Sequence, residues 1–427
     1  MENIVSYSKR GLKPVNVLLT IIYLVPLLTV INENLTSLSS IIIIGISILL
    51  WRTSKFYCIL PIFIFFNGVL VLPGGISTYR IFSLLLLLKL LFSKKLTIDR
   101  LSLVPFFIFI LYCIVIISYY DYISSAIVAF DFLLIIIYIS TFIRKNISNF
   151  FFYYVFGAAI SCLYGWFQQG LNINTFININ NEWIKVSRFV GSFPDPNYFG
   201  FFINIAIFSV IILNIISNRS LKVMLLIFLY ASLIATLSVT GYICNISMLL
   251  LYFILNNKQK IKYSFSFLIV GFFIFLNLDF LENKNYPVIS DMAKRINSQL
   301  SLSQNNDFAS FTTGRSSIWE NHFEYFLEQP IIRILFGGNY VTDMGLDPKF
   351  NNVSHQAYID MLLNFGLIGT LVFILFLITT TLYYLKSYYE KQNNEYLLLV
   401  MIKGVWIFYA FGLSMFPSWT FNLFFFL

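Results

Sequence analysis

Apolar runs of about twenty residues, following one another along most of the chain, restrict its fold more than any other feature. Each run is long enough to cross a bilayer as a helix, and only a helix or a closed barrel satisfies its own backbone in lipid. The runs fall at 15–31, 36–51, 56–73, 80–93, 101–119, 124–143, 148–169, 197–216, 221–238, 240–255, 263–281, 355–385 and 396–413. A last run, Trp419 to Leu427, is too short to span. The expectation is an all-α polytopic membrane protein, one integral domain over 1–427, with about 12–14 transmembrane helices. Composition agrees, at 59% hydrophobic and 11% charged residues. The strict apolar–polar alternation of a membrane barrel is absent.

Cations orient the chain. Arg52/Lys55, Lys94/Lys95/Arg100, Arg144/Lys145, Arg219/Lys222, Lys258/Lys260/Lys262 and Lys386/Lys391 occupy alternate loops, whereas 32–34, 73–78 and 121–122 carry none. The positive-inside rule then puts the N-terminus in the cytoplasm and makes the first run, behind Lys9, Arg10 and Lys13, a retained span. It also accounts for the net charge of +9 without invoking nucleic acid. Cys58, Cys113, Cys162 and Cys244 lie in or beside apolar runs and read as small core residues.

Two long loops fall outside, at 170–195 and 282–354. Their cations, among them Arg188, Arg295, Arg315 and Arg333, run against the topological trend and need another reason. Within the second loop, Ile318, Trp319, Phe323, Phe326 and Leu327 recur at helical spacing. That pattern predicts an amphipathic helix over 311–327 lying on the membrane face, capped at Thr312 or Thr313.

Arginine presents a planar fork of donors that matches phosphate oxygens. Arg188 and Arg315 stand near Gly191 and Gly314 in separate outer loops, so two forks converging on one site would bind a diphosphate. The plainer alternatives are lipid headgroups, or pairing with Glu182, Asp195 and Glu320. His355 opens a span at the boundary and has the titration range of a base for a sugar hydroxyl; capping or packing is its plainer role. His322, between Glu320 and Glu324, reads as a solvated or packing residue. No spacing supports a metal site, and no Walker loop, nucleophile elbow or dinucleotide fingerprint occurs. Among buried charges, Lys89 can snorkel, while Asp131 and Lys403 lie deeper and are by default functional or paired.

Several pieces, taken in order, resemble the O-antigen ligase and polymerase superfamily. They are Arg188-Phe-Val-Gly191 with Asn197-Tyr-Phe-Gly200; Arg295, Gly314-Arg315, Trp319, Pro330 and Gly337-Gly338; and His355-Gln356-Ala-Tyr358 with Gly366-Leu-Ile-Gly369. The resemblance covers roughly the second half of the chain. Gln356 stands where that family usually has asparagine, and Ser238-Val239-Thr240-Gly241 where it often has Ser-Arg; Arg80 resembles another recurrent arginine.

The resemblance implies an inverting glycosyltransferase on the outer face of a bacterial cytoplasmic membrane, using an undecaprenyl-diphosphate-linked oligosaccharide and no metal or cofactor. His355, Arg315 and Arg188 would be catalytic, with Arg80, Arg295, Asn197, Tyr358 and Gln356 binding substrate. A chain-length regulator, a flippase and membrane lipid are the implied partners. A polymerase joining repeat units is the favoured activity, ahead of a ligase acting on lipid A core or another terminal acceptor. A flippase of lipid-linked oligosaccharide ranks third, because intramembrane charges are few.

Overall fold

The computed structural model describes residues 14–32, 34–92, 122–170, 175–179, 182–186, 188–256, 315–338, 356–413 and 419–427. The spans expected at 101–119 and 263–281 lie outside them. The first helices are α1 (Pro14–Leu24), which passes through one tight turn at Pro26 into α2 (Leu28–Ile31), and α3 (Leu35–Leu50). A 3-10 stretch (Ser54–Ile59) leads into α4 (Leu60–Phe66), followed by α5 (Thr78–Phe92), α6 (Tyr122–Thr141) and α7 (Ile147–Gly170). Next come α8 (Pro196–Ile212), α9 (Arg219–Ala235) and α10 (Val239–Asn256). The chain continues with α11 (Arg315–Leu327), α12 (Ile331–Phe336), α13 (Ala357–Lys391), α14 (Asn394–Ala410) and α15 (Trp419–Phe426).

The architecture is an all-α membrane bundle. Among the described residues, Pro14–Ile31, Ile147–Gln168, Val239–Asn256 and Ala357–Lys391 are long and apolar enough to cross a membrane, and Leu35–Leu50, Ser54–Phe66 and Pro196–Ile212 are shorter apolar helices. Helix α8 is apolar on every side and almost wholly buried, packed by α7, α9, α10 and α14. A helix without a polar face belongs at the centre of a bundle.

Three expectations change. The span read at 56–73 ends as helix at Phe66, and beyond it Gly74 and Gly75, with φ of +84° and +81°, form a turn that the Leu72 N–H closes on the Ile76 carbonyl at 2.8 Å. The loop at 170–195 contains an antiparallel hairpin, β1 (Thr175–Ile179) with β2 (Glu182–Val186), in register Thr175 to Val186. Its β-branched and aromatic residues flank a two-residue Asn-Asn connection, a hairpin spacing that the overall asparagine bias obscured. The run at 355–385 is not one straight helix: α13 breaks at Gly366, where φ is +64° and ψ −172°.

The buried charges find separate partners. One terminal nitrogen of Arg80 reaches both Asp131 oxygens at 2.7 and 2.8 Å, and the Tyr79 hydroxyl adds a bond at 3.3 Å. Lys89 donates to the Thr53 carbonyl at 2.8 Å and to that of Trp51, closing the end of α3. Lys403, fully buried, donates to the Phe425 carbonyl beside the Phe376 and Phe425 rings.

Lys403 therefore explains the short last run. Helix α15 inserts among α6, α14 and their neighbours. Its carbonyl end is satisfied by Lys403 together with the Tyr384 hydroxyl on Leu427 and Arg144 on Phe426. A helix end buried in a bundle needs such donors, because no water is there to replace them.

Candidate functional site

The loop that leads into α8 is locked from both sides. Gly191 has φ of +59°, and a Cβ there would lie 2.4 Å from the Phe199 ring. Ser192 donates to the Phe65 carbonyl at 2.6 Å and contacts Ser161 Oγ at 2.7 Å. Asp195 then caps α8, its carboxylate accepting from the amides of Asn197 (2.7 Å) and Tyr198 (3.3 Å). An acidic cap at a helix N-terminus contributes about 0.5–2 kcal/mol.

This loop closes on the end of α9. Arg188, buried, donates from Nε to the Thr236 carbonyl at 3.0 Å, and the Phe189 amide donates to the Ala235 carbonyl at 3.1 Å. A cation over the last carbonyls of a helix is favoured by their unsatisfied charge. Leu237, the next residue, has φ of +51°, a left-handed conformation that a branched side chain rarely takes. The turn it makes aims Ser238 at Asn197, whose Oδ1 accepts from Ser238 Oγ at 2.7 Å, while Ser238 Oγ accepts from the Gly241 amide.

Beneath this seam lies Asn204, with no exposed surface. Its amide nitrogen donates to the Gly200 and Gly241 carbonyls and the Tyr409 hydroxyl, and its oxygen accepts from Asn245 at 2.7 Å. Three helices, α8, α10 and α14, are thus tied at one buried amide.

A second seam forms where α12 meets the break in α13. A Cβ on Gly337 (φ +82°) would lie 2.3 Å from the Asn364 carbonyl oxygen, and one on Gly366 would lie 2.5 Å from the Leu335 carbonyl. The Gly338 amide donates to the Leu363 carbonyl at 3.1 Å. The glycines singled out in the sequence therefore meet each other, backbone against backbone.

Of the candidate residues, Arg188 and Asn197 share the first seam. Gln356 is the N-cap of α13, and Tyr358, in its first turn, donates to the Ile407 carbonyl at 3.4 Å and packs on Phe411. Both groups border α14, which packs against α8 and α13. Arg80 stands apart from this description, its guanidinium on Asp131. Arg315 is the first residue of α11. His355 and Arg295 lie outside the described residues.

His322 is a correction to its solvated alternative. It is buried, with Nδ1 2.6 Å from the Ile318 carbonyl, because it lies on the face that turns inward with Phe326. The sequence reading also missed Asp360, a carboxylate only 3% exposed in the first turn of α13. A lone acid inside an apolar run, five residues past His355, was the available signal. Among the described residues no group of three or more His, Cys, Asp or Glu side chains converges to hold a metal.

Residues 223–374 match the family described as O-antigen ligase. The match is to a family of the O-antigen ligase/polymerase superfamily and spans 152 of the 427 residues. The matched stretch runs from α9 to the upper half of α13, so it contains the Thr236–Gly241 turn, Arg315 and both glycines of the second seam. No curated protein matches the sequence. The superfamily's activity is of ligase/polymerase type, glycosyl transfer with lipid-linked polysaccharide at a membrane.

Proposed function

We propose that this protein is a polymerase that joins polysaccharide repeat units on undecaprenyl diphosphate at the outer face of the cytoplasmic membrane. The observation that carries the reading is the matched family domain, whose Thr236–Gly241 turn adjoins Arg188 and the N-terminus of α8. In the proposed reaction the acceptor hydroxyl attacks the anomeric carbon as the bond to the diphosphate oxygen breaks from the opposite face. The lipid diphosphate departs with the bonding pair, and the hydroxyl proton passes to His355. Arg188 and Arg315 stabilise the departing charge, as fixed cations do best where charge develops. Arg295, Asn197, Gln356 and Tyr358 are assigned to substrate binding. Arg80 joins them only by exchanging Asp131 for phosphate, a costly exchange for a buried carboxylate.

Gln356 and the Ser238-Val239-Thr240-Gly241 turn, both departures from the usual family pattern, favour a polymerase over a ligase. The match itself, described as O-antigen ligase, favours the second reading. The surface polysaccharide ladder of a deletion strain separates them. Collapse to single repeats, reversed by wild type and not by His355→Ala, supports the polymerase. Loss of all surface glycan with lipid-linked polymer retained supports the ligase, and an unchanged ladder overturns both.

A further inference from the structure

One lipid-facing surface of the bundle can be followed residue by residue. On α13 the exposed apolar residues are Leu367, Ile368, Leu371, Leu375, Ile378 and Leu382. Their spacing keeps them on one side of a helix. The stripe begins immediately after the break at Gly366 and ends just before Lys386, the first charge beyond the break. At 1.5 Å per residue those two points are about 30 Å apart, the thickness of a hydrocarbon core. Gly366 thus stands at one boundary of this membrane-length stripe.

Helix α12 abuts that boundary, because Leu335 and Gly337 touch Gly366 through their backbones. Among the described residues nothing buries α12 on its far side: Ile331 is 70% exposed, and Ile332 and Phe336 are exposed with it. The preceding helix carries the same edge in Phe323 and Leu327, while Glu320, Glu324 and Glu328 form an exposed acidic row beside it. Apolar side chains on one flank and carboxylates on the other are the pattern of a segment lying in an interface plane.

We propose that α12 and the Phe323–Leu327 edge of α11 are seated in the lipid leaflet at the Gly366 boundary. Their isoleucine, leucine and phenylalanine side chains enter the acyl region, and the glutamates face water. Lipid is the occupant because the patch continues the lipid-facing stripe of α13 at the depth where that stripe ends. The two-glycine contact is then the joint that turns the chain from a spanning helix to an interfacial one.

The test needs no enzymatic assay, so its outcome is independent of the reaction proposed above. Full-length variants Ile331→Cys, Phe336→Cys and Glu324→Cys are reconstituted in vesicles of phosphatidylethanolamine and phosphatidylglycerol. A membrane-impermeant maleimide is applied, with wild type as background. Cys58, Cys162 and Cys244 are buried. Glu324→Cys should react at least tenfold faster than either apolar position. An environment-sensitive fluorophore at 331 or 336 should be quenched by lipids carrying a nitroxide near the headgroup. Equal rates at 331, 336 and 324 without quenching would overturn the proposal. So would protection at 331 and 336 in native membranes that vanishes in pure lipid, which would make the cover a protein. Two apolar positions keep the test decisive if one variant fails to fold.

Discussion

The two seams solve the same problem with opposite chemistry. Both join a loop to a helix end. The Arg188 seam is held by directional bonds from Arg188, Phe189 and Ser238 around a left-handed Leu237. The Gly337–Gly366 seam is held by the absence of side chains, with one principal hydrogen bond from Gly338 to Leu363. A seam of hydrogen bonds can lose one member and keep its shape. A seam of backbones in contact has nowhere to put a single methyl group.

The largest effect should come from Gly366→Ala. It places a Cβ in the space of the Leu335 carbonyl and requires φ and ψ values that essentially only glycine adopts. Strain of about 1–3 kcal/mol and overpacking of similar size add to roughly 2–6 kcal/mol. Unfolding in detergent should begin far earlier than in wild type, and protease should cut within 315–338. An unchanged midpoint and cleavage pattern would mean that this seam yields and that the contrast is false.

Arg188 comes next and sharpens the contrast by separating cap from chemistry. Arg188→Met removes a buried charge-assisted bond to Thr236, worth about 1.5–3 kcal/mol. Arg188→Lys can still place a cation over the same carbonyls but cannot present a planar fork. The lysine variant should recover much of the stability and little of the glycan ladder. Recovery of both would reduce Arg188 to a helix cap.

Asn204→Leu probes the layer under the first seam. It leaves the Gly241 carbonyl, the Tyr409 hydroxyl and the Asn245 amide to find other partners. Polar contacts within membranes measure about 0.6 kcal/mol each and reach about 1.7. A loss of about 1–2 kcal/mol is expected, below that of the glycine variant despite the larger number of bonds broken. A greater loss than Gly366→Ala would reverse the ranking of the two seams.

What the sequence made legible follows from the range of the signal. The apolar runs and their cations reported helices, because burial in lipid is written locally and at a fixed length. The first seam was half legible: Arg188 stood out as a cation near a glycine and Asn197 through the family resemblance, but Asn204, Asn245 and Tyr409 were hidden in apolar runs. Their meaning depends on three helices meeting. The break in α13 was concealed because Gly366 interrupts the helix without interrupting hydropathy. Asp360 was passed over for the same reason, and Asp131 showed its need for a partner without naming Arg80.

The smallest effect, at Asp195, asks whether the first seam needs the shape of its cap or the charge. Asparagine caps a helix about as well as aspartate, whereas alanine costs about 1 kcal/mol. Asp195→Ala should therefore lower the unfolding midpoint slightly, and Asp195→Asn should restore it, since its side-chain oxygen can accept from the same two amides. Charge is a separate matter, because the asparagine keeps the acceptor oxygen and removes the negative charge. If Asp195→Asn melts like wild type and makes a normal ladder, Asp195 is a cap alone. If stability is restored while chains shorten, the carboxylate itself belongs to the reaction, and the first seam differs from the glycine seam in function as well as in construction.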